Sequence, residues 1–468
     1  MMWCLAALCA SAGGKAAGDV SAELLRACQA YLVEGEQEQA GHRKGLAEYS
    51  GPIDPVLQAL REAEPHEWQR GTGRMLAEHF VAPQLRERYR DDLLYFYVPP
   101  EYDTTESFGL LIFMHGGGPG TPREYAQVVV NTPEQGRSYH LRPAIDHAPF
   151  ITVAPSALVD DTSDTRWNKP EADDYIAAVI RECCYRFNID IDRVLLGGWS
   201  MGGFGAYHQC QRLSDRIAGG VAGAGSWKAA DWRSMVGTPL FIIHGAHDAV
   251  APGTPEKAAR PRYTDVFYAR AADKLLTGAK ADHVYAEYDG GHHPRDAGDA
   301  IQTLLAWATD RRRDPLYPRV VAVTPRGMDA RTSAPSPHTR WVSILEIGDG
   351  RIPLDAVINT GPGPKWGEDL QSFNQQGLEL VKTHVKGGLV EARYQGNNAF
   401  EVRTENVLRL SLWLHAKMVD FNRPVVVTLN GVPSEHEVRP TLLDALRSYK
   451  RRGDWGLIYH CELQIDVR

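Results

Sequence analysis

Between residues 91 and 312, short apolar runs alternate with amphipathic stretches. The runs lie at 92–98, 110–114, 150–154, 193–196, 217–224, 239–243 and 284–288. Continuous apolar runs of this length, bounded by turn residues, read as strands buried on both faces. The intervening stretches at 172–187, from 201 onward, at 264–276 and at 296–309 read as helices. The pattern predicts an α/β fold, a mostly parallel sheet flanked by helices, with right-handed crossovers. Ahead of it, residues 19–90 read as a helical N-terminal extension. Leu24, Leu25, Cys28, Tyr31 and Leu32 fall on one helix face, and Met75, Leu76 and Phe80 suggest a further helix. That extension is expected to pack against a neighbouring domain. Beyond Arg311-Arg312-Arg313-Asp314-Pro315 the pattern turns β-rich, with strands predicted at 319–323, 341–347, 389–394, 400–402, 408–414, 425–429 and 457–467. Asn430-Gly431 is a hairpin signal, because both residues tolerate positive φ, and one helix is predicted at 441–448. A separate, sandwich-like β-rich domain over 317–468 follows.

Composition narrows the function classes. The chain has 468 residues with 43% hydrophobic and 24% charged, a mixture typical of soluble globular proteins. Net charge is −8 and no Lys/Arg run exceeds Arg311–Arg313, which argues against a nucleic-acid partner. No apolar stretch approaches the roughly 18 residues a membrane-spanning helix needs. The seven cysteines form neither a disulfide framework nor a zinc-ligand spacing. Residues 1–18 open with an apolar run ending in small residues, similar to a secretory signal peptide although without its basic stretch, so export to the periplasm or beyond is expected.

The chemistry-bearing residues cluster after predicted strands. Gly198-Trp199-Ser200-Met201-Gly202 is a GxSxG sequence lying between a strand and a helix, the setting a nucleophile elbow requires. A serine hydroxyl becomes a useful nucleophile only when held exposed beside a base. His115-Gly116-Gly117-Gly118-Pro119-Gly120 follows another strand and can turn backbone N–H groups towards a developing negative charge. It lacks the Lys-Ser/Thr ending of a phosphate loop. Asp248, in His244-Gly245-Ala246-His247-Asp248, is placed to orient an imidazole, the competing reading being metal ligation by His244, His247 and Asp248. Gly290-Gly291-His292-His293 supplies the base, His292 or His293, with His292 preferred.

The order Ser200, Asp248, His292 is that of the α/β-hydrolases, and the chain resembles them over residues 91–312. Within that superfamily it is similar to polyhydroxybutyrate depolymerase and feruloyl esterase-like carboxylesterases, and to the catalytic domain of prolyl oligopeptidase-type peptidases. The latter usually carry a β-propeller, which the first 90 residues cannot supply, so the esterase reading leads and the peptidase reading is second. The resemblance implies acyl transfer without cofactor or metal, with oxyanion donors on Met201 and on Gly116 or Gly117, and a small-molecule or polymer-linked ester as substrate. Because the base must be neutral, activity is expected to rise through about pH 6–7, and a flat profile from about pH 5 to 8 would count against His292. Trp199 and Trp167 are candidate substrate-binding residues. Asp160, Asp161 and Asp164 read as a solvated acidic loop, with calcium binding the alternative. Trp341, Trp366, Trp413 and Trp455 read as core aromatics, with polysaccharide contact through the C-terminal domain, on a non-catalytic scaffold, as the alternative.

Overall fold

Alternate residues of one buried strand feed two different cores. Leu110, Ile112 and Met114 pack on one side of the main sheet, and Leu111 and Phe113 on the other, as the two-residue period of a strand demands. The computed structural model describes residues 20–33, 40–63, 70–118, 120–157, 166–248, 264–325, 332–333, 337–360 and 377–467. The signal-like segment, the Asp160–Asp164 loop and Trp366 lie outside the described residues.

The strands of the first part of the chain are β1 Met75–His79, β2 Leu93–Tyr97, β3 Phe108–Met114, β4 Phe150–Pro155, β5 Ile189–Trp199, β6 Gly219–Gly223, β7 Ala229–Ala230, β8 Leu240–Gly245 and β9 His283–Tyr288. All but β7 form one eight-stranded sheet in the order β1-β2-β4-β3-β5-β6-β8-β9. The pairs β1–β2 and β2–β4 are antiparallel, and every pair from β4 to β9 is parallel. Helices Pro170–Arg186, Met201–Arg212 and Phe267–Ala279 cover one face, and Asp299–Thr309 covers the other. The predicted α/β architecture is the one observed.

One N-terminal expectation is corrected. Met75 and Leu76 lie in an edge strand, not a helix, with Met75 opposite Tyr97 and His79 opposite Leu93. Five residues are too few for the 3.6-residue period to show, and pairing with an apolar neighbour decides the outcome. The helices of the extension are Ala22–Val33, Ala40–Glu48 and Ile53–Glu62. Cys28, Tyr31, Leu46, Val56 and Leu60 pack against Leu442, Ala445 and Leu446 of helix Leu442–Arg452, so the extension docks on the C-terminal part of the chain.

That C-terminal part is β-rich: β10 Arg319–Pro325, β11 Thr332–Ser333, β12 His338–Thr339, β13 Val342–Ile347, β14 Arg351–Asn359, β15 Leu378–Gly396, β16 Ala399–Glu405, β17 Val407–Leu414, β18 Val425–Leu429, β19 Val432–His436 and β20 Cys461–Asp466. β18 and β19 meet at the expected Asn430-Gly431 turn, both residues having positive φ. Trp341 and Trp413 are fully buried, their indole N–H groups donating to the Tyr317 carbonyl and the Ser343 hydroxyl, while Trp455 stacks on Tyr449 at 3.9 Å. The first two are core residues and offer no platform to a sugar.

The separation of this region is less complete than the pattern implied. β14 pairs with β7, a strand contributed by the main-sheet part of the chain. Val357 and Leu378 of the β14–β15 hairpin complete one core of the main sheet. A buried polar network closes the junction. Arg313 joins Asp192 at 2.8 Å to Asp454 at 2.6 and 2.7 Å. Arg340 donates to the carbonyls of Ser214, Val236 and Gly237 and to the Thr238 hydroxyl. Asp215 accepts from the Arg340 backbone N–H and from Arg452.

Candidate active site

Strand β5 runs into helix Met201–Arg212 through a single residue, Ser200, at φ 60° and ψ −118°. A non-glycine residue held there stores strain of about 1–3 kcal/mol. The surroundings impose it: the Ser200 N–H donates to the Gly223 carbonyl at 2.9 Å, tying the turn to β6. Two glycines make the turn sterically feasible. A Cβ at 198 would stand 2.2 Å from the Gly202 carbonyl oxygen, and one at 202 would stand 2.0 Å from that of Met114. Both obstacles are backbone and cannot swing aside. Gly202→Ala is therefore expected to displace the turn and lower hydrolytic activity by roughly 10²-fold, the scale of a 1 Å misplacement. Hydrolysis rates with a parallel thermal melt check this, and near-normal turnover would contradict it.

Ser200 occupies the N-cap position of its helix, yet its side chain does not cap it. The hydroxyl instead meets His292, with Nε2 2.9 Å from Oγ. On the opposite side of the ring, Nδ1 lies 2.7 Å from Oδ2 of Asp248. Asp248 follows β8 and His292 follows β9, so three residues distant in sequence converge at the carboxyl ends of parallel strands. His293 instead stands at the N-cap of the short turn Pro294–Ala297, its ring 6.4 Å from that of His292. Asp248 is buried. Burial alone would raise its pKa, but contacts with the His244 and His292 imidazoles outweigh that and hold the carboxyl below the usual range.

The loops carrying these groups are stitched together. Ala246 N–H donates to the Tyr288 carbonyl, His247 N–H to the Gly290 carbonyl, and the Tyr288 hydroxyl to the Gly291 carbonyl. The His244/His247 metal reading does not fit this arrangement. His247 Nε2 pairs with Asp289 at 2.6 Å near the surface, while His244 is buried against Asp248. No cluster of three His, Cys, Asp or Glu side chains suited to a metal exists among the described residues.

Three residues of the expected site make close contacts of their own. Trp199 is buried and donates its indole N–H to the His292 carbonyl at 2.8 Å, so it braces the histidine loop. Trp167, also buried, donates to the His115 carbonyl at 3.1 Å and props the glycine loop. Gly116 is unsuited as an oxyanion donor, because its N–H is taken up by the Tyr139 hydroxyl at 2.7 Å. Gly118 N–H is likewise engaged, by Thr121 Oγ1 at 2.8 Å. Gly117 N–H, at φ 120°, meets no acceptor among the described residues. His115 beneath the loop is buried, which pushes its pKa down to about 4 and keeps its ring neutral.

A parallel sheet with a serine on the sharp strand–helix turn after β5, a carboxylate after β8 and a histidine after β9 settles the architecture. The fold is that of the α/β-hydrolases. No protein-family model matches the chain. Over 141 residues, 29% of its length, the chain is 26% identical to a bifunctional acetylxylan esterase/xylanase from Neocallimastix patriciarum, and the match spans 20% of that protein. A solved thermostable esterase is similar over 51% of this chain and 63% of its own, with 21% identity and a TM-score of 0.39. The fluorophosphonate-binding serine hydrolase F of Staphylococcus aureus is similar over 52% of this chain and 99% of its own, with 13% identity and a TM-score of 0.36.

Proposed function

We propose that this α/β-hydrolase-fold protein is a serine hydrolase that cleaves carboxylic esters, small or polymer-linked, with Ser200 as nucleophile, His292 as base and Asp248 as its orienting carboxylate. The observation that carries the reading is the imidazole of His292, 2.9 Å from Ser200 Oγ on one side and 2.7 Å from buried Asp248 on the other. His292 Nε2 takes the Ser200 proton as Oγ attacks the ester carbonyl carbon, and Asp248 stabilises the imidazolium that forms. The tetrahedral oxyanion is received by the Met201 and Gly117 N–H groups. Collapse expels the alcohol, which takes the proton from His292 and leaves an acyl group on Oγ. A water molecule, deprotonated by the same nitrogen, then releases the carboxylic acid and regenerates the serine.

The choice of ester over peptide is supported by the local similarity to an acetylxylan esterase/xylanase. That similarity also favours short acyl groups carried on a saccharide. Short-acyl p-nitrophenyl esters are expected to be hydrolysed with a kcat/KM at least about 100-fold above that for prolyl p-nitroanilide peptides, a gap of nearly 3 kcal/mol in transition-state binding. The reverse ranking would move the assignment to a peptidase.

A further inference from the structure

Asp248 is approached by two imidazoles, and only one of them faces the serine. The second belongs to His244, within β8, whose side chain is fully buried. Its Nε2 lies 2.9 Å from the Thr264 carbonyl oxygen and 3.2 Å from Asp248 Oδ2, the same oxygen that His292 Nδ1 approaches at 2.7 Å. Both neighbours of Nε2 are acceptors, so this nitrogen carries a proton that it directs at them. His244 Nδ1 and Asp248 Oδ1 have no hydrogen-bond partner among the described residues. The charged edge of Asp248 is thus shared between an inner ring and an outer one.

We propose that His244 is a positioning residue that acts through Asp248, sharing Oδ2 with His292 and thereby setting how much of the carboxylate charge the His292 imidazole meets. The proposal rests on the serine-hydrolase reading and deepens it. A carboxylate buried in low dielectric attracts its remaining partner more strongly when a competing donor is lost. Without the His244 N–H, the full charge falls on His292, which then holds its proton to higher pH, and the carboxylate loses one of the contacts that fix its orientation. Among the described residues, the ionisable groups near the pair include Glu287, tied to Arg270 at 2.7 Å, the Tyr288 phenol, His293, Asp296, the His247–Asp289 pair and buried Asp265 beside Thr264. Glu287 stands opposite His244 in the β8–β9 register and is influenced by it, an influence that the leucine and glutamine variants remove alike.

Two substitutions separate the roles. His244→Leu removes the donor, whereas His244→Gln keeps an N–H of similar reach. In His244→Leu the acidic limb of the kcat/KM profile is expected to move up by about half a pH unit or more, with kcat falling roughly tenfold and KM little changed. His244→Gln is expected to restore most of both. A parallel readout needs no turnover: in a Ser200→Ala background, the low-field proton on His292 Nδ1 is followed by NMR against pH, and its midpoint is expected to rise in His244→Leu. Unmoved midpoints in both measurements, or equal behaviour of the leucine and glutamine variants, would overturn the proposal. If the wild-type chain hydrolyses no ester, the hydrolase reading fails by itself, and the NMR midpoint still decides the role of His244.

Discussion

Ser200→Ala is expected to lower ester hydrolysis by at least about 10⁴-fold and to abolish covalent labelling by a fluorophosphonate, while leaving the melting temperature close to that of the parent chain. The size follows from what the hydroxyl does. In the proposed mechanism it is the group that carries the acyl intermediate, and removing a triad nucleophile costs on the order of 10⁶ in related chemistry, with a residual 10³–10⁴ over water from the remaining site. The fold should tolerate the change well. Ser200 Oγ bonds to His292 and caps no helix N–H, so its loss leaves no helix donor newly exposed. Its strained φ of 60° belongs to the turn and is retained by alanine. Activity-based labelling followed by intact-mass analysis reads the outcome. Labelling of the alanine variant at the wild-type rate would place the nucleophile elsewhere and dissolve the proposed mechanism.

The second large effect is on stability. Arg313→Met leaves Asp454 buried without its cation, since the pair is bidentate at 2.6 and 2.7 Å and both side chains are almost fully shielded from water. Breaking such a pair by removing one partner costs about 3–5 kcal/mol, much of it the desolvated charge left behind. The burial of Asp454 would raise its pKa, but Arg313, with smaller contributions from Arg216 and the Gly456 N–H, overrides that and holds it below the ordinary range. In the wild type this contribution is present at neutral pH and is lost as pH falls through the depressed native value. In the variant only Arg216 and the Gly456 N–H are left to oppose the burial of the carboxyl, which then favours its protonated form more than in the wild type, so the deficit should shrink on acidification. Denaturant unfolding at about pH 7 and pH 5 reads both effects. Adding Asp454→Asn to Arg313→Met should recover part of the loss. A variant as stable as the parent at neutral pH would show that the junction does not depend on this pair.

How far the sequence disclosed these features depended on how local each one is. Ser200 was visible because five consecutive residues encode its turn, and their steric demand is settled by contacts among Gly198, Gly202 and the adjoining strand end. Asp248 and His292 were visible because each sits just beyond an apolar run. The bracing roles of Trp199 and Tyr139 were not legible. The first joins residues 93 apart and the second residues 23 apart, through backbone atoms that carry no residue-type signal. Nor does a glycine run tell that the Gly116 N–H is already engaged by Tyr139. Among the strands, β14 leaves no apolar run in the sequence, because Pro353 and Asp355 interrupt it. Only the second half of β15 shows in the apolar pattern, because its first half is partly exposed and Gly387-Gly388 looks like a loop.

That long strand has a consequence for how the molecule can work. β15 is a single nineteen-residue ribbon: its first half pairs with β14, which reaches the main-sheet side through β7, and its second half pairs with β10 and β16. A lobe wired in this way is no detachable cassette tethered by a hinge. A tilt would have to break the β14–β7 ladder and draw Val357 and Leu378 out of the main-sheet core, so the two parts are held together by shared backbone hydrogen bonds as well as by side-chain packing.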